Sequence, residues 1–101
     1  MKMSMYINEI KDIFTVNRPN RFSDACDMFL ANIDRAGDPT AVYHYDGAEQ
    51  LDYKALKAHR DELAGSKNAL VAYYEAHRDA CNALYKAGKR VELKNLVASA
   101  C

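Results

Sequence analysis

From Tyr6 to Phe14 the apolar residues Tyr6, Ile7, Ile10, Ile13 and Phe14 recur at steps of three and four, while Glu9, Lys11 and Asp12 point the other way. That spacing predicts an amphipathic helix. Ser4 is placed to cap its start. The helix is expected to end by Asn17, because Pro19 disfavours helical backbone at Arg18 and lacks an amide donor. The linker Asn17-Arg18-Pro19-Asn20-Arg21 is short, polar and basic. It reads as an ordinary turn, with contact to a phosphate or an acidic partner as the alternative. A second stripe follows in Phe22, Cys26, Phe29, Leu30 and Ile33. Here Ser23 is the expected cap, Phe22 a hydrophobic staple before it, and Gly37 the terminator. Asp24 and Asp27 sit near the helix start, where the dipole favours them.

Asp38 to Gly47 breaks the helical pattern. Val42, Tyr43 and Tyr45 favour extended backbone and Asp46-Gly47 signals a turn, so an irregular loop near residues 38–47 is expected, with a lone short strand as the alternative. Helical spacing returns in Leu51, Ala55, Leu56, His59 and Leu63, started by Asp46 or Asp52. It continues from Lys67 to Ala87 through Leu70, Tyr73, Tyr74, His77, Cys81, Leu84 and Tyr85, and Gly88 closes it. A final short helix from Arg90 to about Ser99 offers Val91, Leu93, Leu96 and Val97.

Ala-His-Arg-Asp occurs twice in this region, at Ala58–Asp61 and Ala76–Asp79, eighteen residues apart. In an unbroken helix that offset puts both histidines on one face. Gly65-Ser66 between the copies reads as a helix end followed by a new cap, so a break or kink there is weighed against a continuous rod of about 55 Å.

These elements predict an all-α fold: a compact bundle of four or five short helices over residues 1–101, a single domain in which sequential helices pack antiparallel. Half of the residues are hydrophobic, enough for a core without disulfide staples. A domain this size still leaves much apolar surface, so both a monomer and a homodimer are open. The formal charge is zero, which argues against a wholesale polyanion binder. The charges are nevertheless segregated: up to Asp52 there are five basic and nine acidic side chains, and from Tyr53 onward nine basic and five acidic. Such polarity either steers a charged partner or is matched inside the fold. Cys26, Cys81 and Cys101 lack the even count and spacing of a disulfide framework, and no apolar stretch is long enough for a signal core or a membrane span. The expectation is a reducing, cytoplasmic compartment, with Cys26 and Cys81 as small core residues and Cys101 exposed.

Chemistry-bearing patterns are sparse. His77 and Cys81 have the spacing of two metal ligands, but Cys26, His44, His59 and Cys101 are scattered, so no metal site or cofactor is expected and the pair is read as lining the core beside Tyr73 and Tyr74. No nucleophile motif or glycine-rich phosphate loop appears, and the chain is not expected to be an enzyme. The better surface signal is basic. Lys86, Lys89, Arg90 and Lys94 share a face if the helix runs through Gly88, with Tyr85 adjacent, and Lys54, Lys57 and Arg60 extend the patch. Ammonium groups beside an aromatic ring suit phosphates and a stacked base, whereas late-helix lysines also simply complement the helix dipole.

In size, helical composition, segregated charge and lack of catalytic motifs, the chain resembles small phage-encoded accessory inhibitors, among them anti-CRISPR proteins. The resemblance implies a protein that blocks a host complex by occupying a protein surface or a nucleic-acid channel. The leading expectation is therefore a non-enzymatic interaction protein, an inhibitor that binds a host protein or nucleoprotein complex. The alternative is a module that contacts DNA backbone or single strands through Tyr85, Lys86, Lys89, Arg90 and Lys94.

Overall fold

The computed structural model describes residues 1–38 and 51–101. The loop expected at 38–47 lies, apart from Asp38, outside the described residues. A 3₁₀ turn at Met3–Tyr6 leads into α1 (Ile7–Asn17), followed by α2 (Phe22–Arg35), α3 (Tyr53–Leu56), a second 3₁₀ turn (Lys57–His59), α4 (Arg60–Gly65), α5 (Lys67–Ala76), α6 (Arg78–Lys86) and α7 (Arg90–Ala100). The fold is all-α, with no strand among the described residues. No helix among the described residues is long and apolar enough to cross a membrane. The segments outnumber the four or five expected because the third and fourth predicted helices are each interrupted, at Lys57–His59, Ser66 and His77.

Aromatic contacts set the direction of packing. Phe14 meets Phe22 at 6.0 Å between ring centroids and Tyr6 meets Phe29 at 5.5 Å, so α1 and α2 run antiparallel. Along the other side of α2, Arg60 bonds Asp34 at 3.0 Å, Lys67 bonds Asp27 at 2.6 Å, and Tyr74 stacks on Phe22 at 4.0 Å. These rungs advance in step, so α4 and α5 form one antiparallel run against α2. Ser66 interrupts the helical hydrogen bonding without reversing the chain. Its hydroxyl donates to Leu63 O at 2.8 Å and accepts from the Met3 amide at 2.8 Å, which pins the N-terminal turn to the joint. A straight rod over residues 51–87 would still be too long, since the described residues span 38 Å along their longest axis. The bend comes at the joints.

Both Ala-His-Arg-Asp copies are such joints. His59 (φ −114°, ψ 11°) and His77 (φ −127°, ψ 31°) leave helical geometry, and Arg60 and Arg78 begin the next helix. His77 is exposed and stacked on Tyr73 at 4.2 Å, so it does not line the core as expected. Cys81, its proposed partner, is fully buried. Gly88 (φ 74°) then ends α6 in the left-handed conformation glycine tolerates, with its own N–H on Tyr85 O at 3.1 Å and the Lys89 N–H on Leu84 O at 3.0 Å. The chain turns back there, and α7 runs antiparallel to α1, with Arg90 O accepting from Asn8 at 2.8 Å and the far end of α7 meeting Lys2.

Of the expected caps, Asp52 performs as predicted, accepting from the Ala55 N–H at 3.0 Å. The others do not. Ser4 is buried inside the first turn and makes no cap, and α2 starts at Phe22, so Ser23 falls within the helix. Phe22 is buried as a core residue rather than a staple. The core joins Met3, Ile7, Ile10 and Ile13 to Phe22, Cys26, Phe29 and Ile33, and to Leu63, Leu70, Tyr74, Leu93 and Val97. Val91 and Leu96, expected inward, are exposed, and Cys101 is half-buried with its thiol towards Ala69 O.

Phe22→Ala should lower unfolding stability by about 3–5 kcal/mol in urea, since it removes a fully buried ring and the stack on Tyr74. Burial pushes the Cys26 thiol from its ordinary 9.0 up to about 12. The unfolded chain therefore releases this proton first, and stability should fall as pH rises from about 9 towards 12, by up to about 1.4 kcal/mol per pH unit. Urea unfolding at pH 8 and pH 10 checks this: Cys26→Ala should lose less than the parent over that interval.

Candidate cationic cleft

From Ile7 to Ile13 every residue of α1 is buried or half-buried. The charged face assigned to solvent is instead covered, because α2 lies on one side of α1 while α5, α6 and α7 close the other. Asp12 and Lys11 meet this covering in different ways. Asp12 accepts from Tyr85 Oη at 2.6 Å and is gripped by both Arg90 guanidinium nitrogens at 3.1 and 2.8 Å. This bidentate bond raises the Arg90 pKa, and burial followed by the bond to Asp12 raises that of Tyr85.

Lys11 has no carboxylate partner among the described residues. It is only 5% exposed, and its ammonium donates to Tyr74 Oη at 3.1 Å and Asn82 Oδ1 at 2.8 Å. Tyr74 also donates to Asn82, at 3.0 Å. The rings of Phe14, Tyr74 and Tyr85 lie 5.0, 5.2 and 5.3 Å from the ammonium, a cation–π cage. Burial lowers the Lys11 pKa below its ordinary value, and Lys86 and Arg78 push the same way against the Cys81 thiol.

This ammonium borders an open cleft of about 400 Å³. One wall is the α1 stripe Lys11, Phe14, Thr15 and Arg18, continued by Pro19. The facing wall is Tyr74, Arg78, Asn82, Tyr85 and Lys86 across the His77 joint. Among the described residues, four cations line the cleft and no carboxylate does. Arg78 bonds Glu75 outside it, and its guanidinium lies 5.7 Å from the Tyr74 ring. Arg18 holds a left-handed backbone (φ 49°) as the cap of α1, an uncommon state for a residue with a side chain.

The residues expected to form a basic patch do not share one face. Tyr85 and Lys86 line the cleft, whereas Arg90 is engaged by Asp12 and Arg60 by Asp34. Lys89 and Lys94 are exposed on the turn and helix beyond Gly88, where α6 has already ended, and Lys54 and Lys57 are exposed on α3 and the turn after it. The continuous stripe required an unbroken helix through Gly88, and the positive φ there ends it. Lys11, Tyr74, Arg78 and Asn82 were not singled out as site residues, and Arg18 entered only through the alternative phosphate reading of its linker. Their signal was present as two stripes at helical spacing, 11-14-15-18 and 74-78-82-85, but the amphipathic reading split each of them, giving Lys11 to solvent and Phe14, Tyr74 and Tyr85 to the core.

No known protein family, curated sequence or solved structure matches the chain.

Lys11→Met keeps the side-chain length and leaves Tyr74 and Asn82 bonded to each other. It should therefore raise the stability of the free protein, by about 1 kcal/mol in thermal or urea unfolding, as replacement of a buried charge by an apolar residue often does. Because the folded chain holds the Lys11 proton less firmly than the unfolded chain, this gain should shrink as pH rises from the lowered folded value towards 10.5.

Proposed function

We propose that the chain is a non-enzymatic interaction protein, an inhibitor of the anti-CRISPR kind, that seats the cleft between α1 and α5–α6 on an anionic surface of a host nucleoprotein complex. The observation that carries the reading is Lys11, a buried ammonium at an open cleft with neutral partners and three further cations around it. An incoming anion is attracted by all four charges in a partly desolvated space, where each interaction exceeds its value in water. Exposed Lys86 carries the positive potential to the lip.

The second reading, direct contact with nucleic acid, is favoured by one observation: Tyr85 and Lys86 line the same cleft, so an aromatic ring and ammonium groups are offered together. Capture from host lysate, with and without nuclease, distinguishes the two. The parent protein should retain a stoichiometric protein complex after nuclease treatment, and the charge-reversed variant Arg18→Glu/Lys86→Glu should lose it. Undiminished capture by that variant would overturn the proposal, and capture abolished by nuclease alone would transfer it to the second reading.

A further inference from the structure

We infer that the cleft is a receptor for a nucleoside monophosphate unit, with the phosphate held by Lys11, Arg18, Arg78 and Lys86 and the base placed against the aromatic wall. The inference rests on the reading of the cleft as the working site and names the chemistry it takes.

A single carboxylate brings one negative charge to four cations, whereas a phosphate monoester brings about −1.5 to −2 near neutral pH and three acceptor oxygens. Lys11 is held by Tyr74 and Asn82 where it borders the cleft, and its third N–H has no protein acceptor among the described residues. An ammonium has three donors, and an anion oxygen completes the set. Arg78, which bonds Glu75 through one nitrogen, has further guanidinium N–H groups suited to phosphate oxygens, with Lys86 on the same wall and Arg18 on the opposite one.

Shape and polarity supply the other half. A volume of about 400 Å³ is more than a lone inorganic anion fills, and it falls in the range of small-molecule sites, roughly 300–1,000 Å³. The remaining lining is Phe14, Pro19, Tyr74 and Tyr85, with Asn82 and Thr15 as the neutral hydrogen-bonding groups. A flat heteroaromatic ring uses such a surface by stacking, worth about 1–3 kcal/mol per base in single-strand binders. The neutral overall charge of the chain fits capture of one phosphorylated unit better than tracking along a polyanion.

Calorimetric titration with adenosine 5′-monophosphate, adenosine and inorganic phosphate tests the inference. The monophosphate should bind, and both adenosine and inorganic phosphate should bind at least about tenfold more weakly, since each lacks half of the recognition. Arg18→Gly and Lys86→Gln, neither buried, should each weaken the monophosphate by about threefold to tenfold, and Lys11→Met by more. A 5′-phosphorylated trinucleotide bound as well as the monophosphate assigns the site to strand ends, and one bound at least about tenfold more weakly assigns it to free nucleotides; both support the inference. Adenosine and its monophosphate binding equally, no heat with the monophosphate at millimolar concentration, or full affinity in Arg18→Gly and Lys86→Gln would overturn it. If the monophosphate fails while charge reversal still abolishes partner capture, the nucleotide inference falls and the proposed interaction role stands.

Discussion

The structure depends on how α1 is covered. A helix with Ile7, Ile10 and Ile13 on one side and Asn8, Lys11 and Asp12 on the other normally gives its polar side to water. Here α6 and α7 take that place, and each polar group needs a protein partner. Asn8 reaches the Arg90 carbonyl, and Asp12 joins Arg90 and Tyr85, which fixes the start of α7 after the Gly88 turn. Lys11 receives only neutral partners. One acidic and one basic residue, adjacent in sequence, thus meet opposite outcomes: the acid locks the fold and the base is left poised at a cleft.

The segregated charge of the chain is largely spent inside it. Asp12, Asp27 and Asp34 from the acidic half meet Arg90, Lys67 and Arg60 from the basic half, joining the two halves of the sequence across the bundle. Pairs such as Arg60–Asp34 are exposed and hold register more than they stabilise. What remains after this matching is local. Arg78 keeps Glu75 as a neighbour outside the cleft, while Lys11, Arg18 and Lys86 share the space with no acidic residue among the described lining, which leaves a locally positive site on a neutral protein.

Helix existence was legible in the sequence because apolar spacing follows burial, and burial is what stabilises short helices. Ile10, Phe29, Leu63, Leu70 and Leu93 all lie where their stripes place them. The joints were harder to read. Gly65 signalled a break, yet the chain continues through Ser66 because α2 templates both sides of it. His77 carried no breaking signal, yet helical geometry is interrupted there. The cleft was least legible, since it exists only where the α1 stripe of Lys11 and Arg18 meets the stripe of Tyr74, Arg78 and Asn82 across that joint. Amphipathic patterning marks which residues avoid water and carries no information on which two stripes will face each other. Tyr85 and Lys86 were found from local charge and aromatic character, although the continuous helix invoked for them does not form.

The account turns on the ionic state of Lys11, which nuclear magnetic resonance observes directly. A pH titration of its side-chain signals should show an ammonium that loses its proton below the ordinary lysine value of 10.5, and the midpoint should move upward when phosphate-bearing ligand fills the cleft. A Lys11 that titrates at the ordinary value and is unmoved by ligand would contradict the account, since it would mean that the ammonium is solvated and the cleft does not act on it.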